Sequence, residues 1–105
     1  MPLTKSFKET VKARVQREPA FREALLTEGV EALLSGDLET GKALLRDYIN
    51  ATEGFEELAR TTGIPSKSLM RMFGPQGNPN ARNMFAVLAQ LQAMSGVSLH
   101  IRAQR

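Results

Sequence analysis

Residues 55–73, FEELARTTGIPSKSLMRMF, constrain the fold more than any other segment, because they have the pattern of two short helices joined by a sharp turn. Gly63 follows Ala59 by four residues, so a small side chain lies about one helical turn before a glycine. A helix-turn-helix requires a small residue where its helices cross and a glycine that can adopt positive φ at the turn. The spacing therefore predicts a helix-turn-helix. Its inward apolar residues are Leu58, Ile64, Leu69 and Met72.

The rest of the 105 residues predicts an all-α protein that forms a single domain. Apolar residues recur at helical spacing in segments 5–17, 19–34, 38–51, 55–62, 66–73 and 81–94. Residues 1–36 form an N-terminal helical extension, residues 37–95 a helix-turn-helix core, and residues 96–105 a tail. From position 97 the tail alternates apolar and polar residues, which predicts a short C-terminal strand. This strand either forms a dimer surface with the last helix or docks on its own domain.

The composition of the chain excludes several classes of protein. There is no cysteine, which excludes disulfides and thiolate chemistry, and no apolar run approaches the roughly 18 residues of a membrane helix. The N-terminus is too charged for a secretory signal, so we expect a cytoplasmic protein. His100 is the only histidine and has no cysteine or acid near it in sequence, so we expect no metal site. No nucleophile elbow or nucleotide-binding glycine loop is present, and we expect neither enzyme activity nor a cofactor.

Charge is segregated along the chain. Residues 1–17 hold five bases and one acid, residues 18–53 hold eight acids and three bases, and residues 54–105 hold six bases and two acids. No acid follows Glu57. A basic surface without interspersed acids attracts phosphate, although the same charge could serve solubility alone. Because the acid-free part contains the predicted helix-turn-helix, we favour a polyanion as its partner.

The second helix of the pair has side chains suited to double-stranded DNA. A recognition helix lies in the major groove and contacts bases near its N-terminus. Arg71 can donate two parallel hydrogen bonds to guanine, and Lys67 can do the same less rigidly or meet a phosphate. Met70 suits a thymine methyl, and Ser66 suits a helix cap beside a phosphate. Together with Ser68 these are the predicted contacts on this helix; alternatively, they are only its solvated face.

A dense run of turn residues, GPQGNP at positions 74–79, follows the predicted recognition helix. In a compact helical DNA-binding domain this position lies over the sugar–phosphate backbone, where hydrogen-bond donors contact phosphates. We therefore predict that Gln76, Asn78 and Arg82 bind the DNA backbone. The alternative is a tight connector in which glycine, proline and asparagine merely form turns.

From residue 38 to residue 101 the chain resembles the addiction-module antidote proteins, which are helix-turn-helix antitoxins of the lambda-repressor-like fold. A serine–leucine pair, a glycine–proline turn and a Gly-Asn-Pro loop carry the resemblance; the matching residues are Ser68, Leu69, Gly74, Pro75, Gly77, Asn78 and Pro79. The resemblance implies base contacts at Ser66, Lys67 and Arg71, and a backbone contact at Phe55. It also implies a homodimer that represses its own operon and a small RelE-like toxin encoded alongside.

Two functions therefore follow from the sequence. The first is a sequence-specific DNA-binding regulator, a homodimer on an inverted repeat. The second is a protein-interaction module whose N-terminal helices bind a partner such as a toxin, with DNA binding secondary. The apolar residues of segment 19–34 either complete the core or embrace that partner.

Overall fold

Six α-helices and no strand occur in the part of the chain that the computed structural model describes, residues 5–105, with side chains described from residue 9. The helices are α1 (Lys5–Arg17), α2 (Pro19–Leu34), α3 (Leu38–Ala51), α4 (Gly54–Thr62), α5 (Ser66–Met72) and α6 (Ala81–Ser95). The predicted all-α class is confirmed, and the predicted helix ends agree to within one residue.

Local sequence signals explain where the helices begin. Pro19 occupies the first turn of α2, where its missing N–H leaves no hydrogen bond unmade. The Asp37 carboxylate accepts from the Thr40 N–H at 3.2 Å and caps α3. The Asn80 side chain accepts from the N–H of residue 83 at 2.8 Å and caps α6. Each cap satisfies a backbone donor that the helix cannot pair internally.

Two glycines allow α2 and α3 to pack closely. A Cβ on Gly29 would lie 2.9 Å from Cδ2 of Leu45, and a Cβ on Gly41 would meet the Leu33 side chain. These are the helices with the most extensive mutual packing in the described chain. The close approach fixes the position of α3, and α3 in turn contacts α4.

The N-terminal helices complete the core. Val15 of α1 and Leu25 and Leu26 of α2 are buried in the same apolar cluster as the side chains of α3 to α6. The cluster's other members are Leu45, Tyr48, Ile49, Ala51, Phe55, Leu58, Leu69, Met72, Phe73, Met84, Val87, Leu88 and Leu91. Of the two roles left open for segment 19–34, the core role is therefore confirmed for its buried leucines.

The predicted C-terminal strand is wrong. After Gly96, which ends α6 with φ +74°, residues 97–105 form neither strand nor helix. A strand needs a neighbouring strand for its backbone hydrogen bonds, and no other strand occurs in residues 5–105. Instead, the Leu99 N–H donates to the Gln92 side chain at 2.9 Å, and the half-buried Leu99 packs against the core. Alternation of apolar and polar residues here reflects one docked side chain rather than a sheet.

Candidate nucleic-acid interface

A three-residue connection, residues 63–65, joins α4 to α5. Gly63 adopts φ +78°, and its N–H donates to the Ala59 carbonyl at 2.9 Å, which closes the end of α4. The Thr62 hydroxyl accepts from the N–H of Ile64 at 3.2 Å within the same turn. The predicted positive-φ glycine and the predicted pair of short helices are thus confirmed.

Helix α5 has a buried face and an exposed face. Leu69 and Met72 are buried against the core. The outer residues of the helix are Lys67, Ser68, Met70 and Arg71, all exposed, and Ser66, which is half-buried. The side chain of Met70 is 48% exposed, a large fraction for an apolar residue. The five predicted contact residues of this helix therefore lie on one short segment outside the core, although Ser66 is partly covered.

Ser66 does not cap α5. The residue at the cap position is Pro65, which has no side-chain donor or acceptor, and no side-chain hydrogen bond closes this helix end. Ser66 is the first residue of the helix itself. The predicted capping role is therefore wrong, because the helix begins one residue earlier than a serine cap would require.

Phe55 is not available to DNA. Its side chain is only 6% exposed, and its ring lies 6.1 Å from the ring of Phe73, centroid to centroid, with a tilt of 52°. Such a tilted pair is a favourable aromatic arrangement inside a core. The contact implied at Phe55 therefore cannot use this side chain, which holds α4 against the end of α5.

Lys42 of α3 anchors the loop that joins α5 to α6 (the α5–α6 loop, residues 73–80). Its side chain is buried, with 1% exposed, and its Nζ donates to the carbonyl oxygens of Gly74 and Gly77 at 2.9 Å each. The carboxylate of Glu39 lies 3.1 Å from the same ammonium. Burying a charge is costly unless it is hydrogen-bonded and paired. Lys42 meets both conditions, and it fixes two points of the loop to α3.

Two further features hold the same loop. Arg46, one helical turn after Lys42, donates from Nη1 to the Phe73 carbonyl at 3.2 Å. Gly77 lies so close to the end of α5 that a Cβ would overlap the carbonyl oxygen of Arg71. The loop is therefore a tight connector, as the alternative interpretation held, and its anchoring also fixes the backbone at the exposed Gln76 and Asn78.

The bases on and near α5 are not neutralised internally. Among the described residues, Lys67, Arg71 and Arg82 form no ion pair. On α4, by contrast, Glu57 and Arg60 pair: Arg60 Nε donates to the Glu57 carboxylate at 3.0 Å, and this hydrogen bonding lowers the pKa of Glu57. Both side chains of that pair are largely in solvent. The cations of α5 are left to attract an external anion.

Sequence reasoning missed Lys42 and Arg46. A signal for Lys42 does exist, since it lies four residues after Leu38 and three before Leu45, on the apolar stripe of α3. A lysine inside such a stripe indicates a buried ammonium that needs acceptors. The identity of those acceptors could not be read from the sequence, because backbone carbonyls more than 30 residues away supply them.

No cluster of three or more histidine, cysteine, aspartate or glutamate side chains that could hold a metal ion occurs in the described residues. Likewise, no helix described here is long and apolar enough to cross a membrane. No family model, curated protein or solved structure matches the chain.

Proposed function

We propose that the protein is a sequence-specific, double-stranded DNA-binding regulator of transcription in which α5 lies in the major groove. One observation supports this most: the unpaired cations Lys67 and Arg71 are exposed on the second of two short helices joined by a glycine turn. Helix-turn-helix regulators insert the second helix and contact bases near its N-terminus. The proposed fold is lambda-repressor-like, with α1 and α2 as its extension.

The side chains on α5 match the chemistry of base edges. Arg71 offers the planar fork that donates to O6 and N7 of one guanine, and Lys67 offers a single mobile ammonium. The hydroxyls of Ser66 and Ser68 can donate hydrogen bonds to base edges or accept hydrogen bonds from them. Met70 presents an apolar surface to a thymine methyl. In this proposal Gln76, Asn78 and Arg82 contact the phosphates that flank the site.

A homodimer on an inverted repeat follows from the surface of α6. Beyond Arg82 the exposed residues of α6 are apolar: Phe85 is 67% exposed, and Ala86, Ala89 and Ala93 are also exposed. No charged residue occurs in positions 83–101. An uncharged surface allows two copies of a basic chain to meet without like-charge repulsion. In a two-fold dimer the recognition helices lie about 34 Å apart, one turn of duplex.

The dimer is tested by sedimentation equilibrium of the wild type and Phe85→Glu. We expect a wild-type dimer and a Phe85→Glu monomer, because two carboxylates would face each other across the two-fold axis. A monomeric wild type at tens of micromolar would contradict the proposed assembly.

The resemblance to addiction-module antidotes supports a narrower proposal: the protein represses its own operon, and a small RelE-like toxin is its partner. The adjacent reading frame is the direct test. A small basic toxin gene beside this one, whose product co-purifies with the chain, would support the antitoxin role. If the gene stands alone and its product still binds its upstream DNA, the regulator role is supported and the antitoxin role is excluded.

DNA binding is tested by gel-shift titration with the chain's own upstream DNA against an excess of unrelated duplex. Lys67→Ala combined with Arg71→Ala is expected to abolish the specific shift, because a good bidentate base contact alone is worth about 1–3 kcal/mol. Unchanged specific binding by this double variant would rule out α5 as the recognition helix.

The matched control is Lys12→Ala combined with Arg17→Ala. It removes the same two charges from exposed positions on α1, outside the proposed interface. We expect this variant to bind the specific and the unrelated duplex slightly more weakly, by the same factor, because only long-range electrostatic attraction is lost. If the two double variants behaved alike, net charge rather than α5 would carry the binding.

A second candidate function, a protein-interaction module, is favoured by the connection between α2 and α3. Leu34 is 64% exposed there, Leu38 is also exposed, and both lie among the exposed acids Glu31, Asp37 and Glu39. Two exposed leucines with carboxylates beside them suit a basic partner that also presents an apolar side chain. Deleting residues 1–36 would not test this role, since Val15, Leu25 and Leu26 belong to the core.

The sharper variant is Leu34→Ser combined with Leu38→Ser, which changes exposed side chains only. Loss of partner capture with unchanged DNA binding would support the interaction module. Capture of a basic partner at wild-type strength would exclude this surface.

A further inference from the structure

The peptide group between Gly77 and Asn78 lies between a buried charge and the protein surface. On its inner side, the Gly77 carbonyl accepts from Lys42 Nζ at 2.9 Å. On its outer side, Asn78 is exposed. The direction of its N–H follows from these two facts and from the planarity of the peptide bond.

A trans peptide group holds its C=O and its N–H on opposite sides of the C–N bond. All peptide bonds in residues 5–105 are trans. Because the Gly77 oxygen is directed at the buried ammonium, the Asn78 N–H is directed away from it, and Asn78 is itself an exposed residue. Within the described chain this N–H donates to no protein acceptor.

Lys42 also determines the electrostatic character of the loop. The last carbonyls of α5 and the Gly74 and Gly77 carbonyls concentrate negative partial charge at this end of the helix. The Lys42 ammonium also pairs with the exposed Glu39 carboxylate, which is partly screened by solvent. Its two hydrogen bonds to loop oxygens still offset the negative partial charge and polarise the Gly77–Asn78 peptide group. The outward N–H is consequently a better donor to an anion than an ordinary loop amide.

We propose that the backbone N–H of Asn78 donates to a phosphate oxygen of the DNA backbone, with Lys42 as the positioning residue that directs and polarises it. This inference rests on the proposed function and adds a specific phosphate site to it. A phosphodiester fits because it is anionic and accepts from any direction. No acid follows Glu57 in the sequence, so no carboxylate from residues 58–105 competes for the donor.

The test separates the backbone donor from the side chain at the same position. Asn78→Ala keeps the N–H and removes the side-chain amide, whereas Asn78→Pro removes the N–H and places the ring in the solvent-facing space beside it. Binding to an unrelated duplex in low salt is measured, because a phosphate contact does not depend on sequence. We expect Asn78→Ala to lose about twofold and Asn78→Pro to lose about tenfold or more, since a hydrogen bond to a charged group is the stronger kind.

A second measurement does not depend on how the proline variant folds. In a two-dimensional amide spectrum of the wild type, the unrelated duplex should shift the Asn78 backbone amide proton downfield, among the largest shifts observed. In folded Lys42→Met that shift should be much smaller, although the Asn78 side chain is unchanged. An acidic peptide is titrated in parallel, and a larger Asn78 shift with the peptide than with DNA would overturn the phosphate assignment.

The outcomes separate the two proposals. If the duplex shifts amides of α5 while the Asn78 amide stays in place, or if Asn78→Pro binds like Asn78→Ala, the phosphate site is wrong and DNA binding stands. If the duplex shifts no amide anywhere, the proposed DNA-binding function itself fails, and the phosphate site fails with it.

Discussion

At the scale of single residues, Lys42 shows how a charge can be built into a small core. Lysine is almost never fully buried unless it is paired, because its ammonium loses hydration. In this protein two backbone carbonyls and one carboxylate replace that hydration. The two carbonyl contacts are part-buried, whereas the Glu39 side chain is 67% exposed, so we expect the carbonyls to contribute more than the carboxylate.

Lys42→Met is expected to lower the free energy of unfolding by about 2–4 kcal/mol, because two loop carbonyls lose their donor in a part-buried site. Urea unfolding followed by circular dichroism measures the change. Glu39→Gln is the matched control, and it should cost less than about 1 kcal/mol, because the Glu39 carboxylate is 67% exposed and the two loop carbonyls still accept from Lys42. Equal effects of the two variants would mean that the carboxylate, and not the loop, compensates the buried charge.

Gly77 provides a second test at this scale. Gly77→Ala is expected to destabilise the protein by about 1–3 kcal/mol or more, because the new methyl group would overlap the Arg71 carbonyl and the backbone must move. Gly74→Ala, three residues earlier, should be nearly neutral, since its Cβ would lie 3.4 Å from the nearest atom. Thermal unfolding of both variants measures the contrast, and a harmless Gly77→Ala would contradict the close approach.

At the scale of elements, the α4–α5 turn depends on backbone conformation rather than on packing. Gly63 has φ +78°, and a Cβ at this position would meet nothing within 4 Å. The need for glycine therefore comes from the left-handed conformation alone. This differs from Gly77, where the neighbouring helix end leaves no space.

Gly63→Ala is expected to cost about 1–2 kcal/mol, the penalty of the left-handed region for a residue with a Cβ. Gly63→Asn should cost less, because asparagine tolerates that region better than alanine. Chemical unfolding of the two variants checks the order. If alanine proved as stable as glycine, the turn would have to adopt a different conformation in solution.

The helices could be predicted from sequence because their signals are local. Pro19, Asp37 and Asn80 mark helix starts through their own backbone or side-chain chemistry. Gly63 marks the turn for the same reason. The tail could not be predicted: alternation shows that one side is buried, but whether a partner strand exists is a property of the whole fold.

The same contrast applies to the candidate site: some of its features follow from local sequence, and others depend on distant residues. Exposure of Lys67 and Arg71 follows from the helical period, and the sequence predicted it correctly. Burial of Phe55 does not, because the ring of Phe73 that covers it comes from another helix end. The contacts that fix the α5–α6 loop span 27 to 35 residues, and periodicity contains no information at that range.

At the scale of the whole molecule, Tyr48 of α3 lines a cleft together with Leu91 and Ser95 of α6. This side chain is 2% exposed. Burial raises the pKa of Tyr48 above its ordinary value of 10.0, and the nearby Ser95 side chain only partly opposes that shift. Ionisation of this phenol is thus linked to global unfolding.

This linkage predicts how the stability of the protein changes with pH. Above about pH 10 the unfolded chain releases the Tyr48 proton before the folded chain does, so stability falls as pH rises through the folded pKa. The urea midpoint of the wild type should therefore fall more steeply between about pH 9 and pH 11 than that of Tyr48→Phe. Parallel curves for the two proteins would show that this phenol ionises equally in both states.

The way in which the α5–α6 loop is held has an evolutionary consequence. Lys42 and Arg46 bind it only through the main-chain oxygens of Phe73, Gly74 and Gly77. Every residue type carries such an oxygen, so mutations at positions 75, 76 and 78 leave these attachments intact. The surface side chains of this loop can therefore change while its framework stays constant. A library randomised at positions 75, 76 and 78 should yield many folded members and, under the proposed phosphate contacts, members whose affinity for DNA changes without a change in sequence preference.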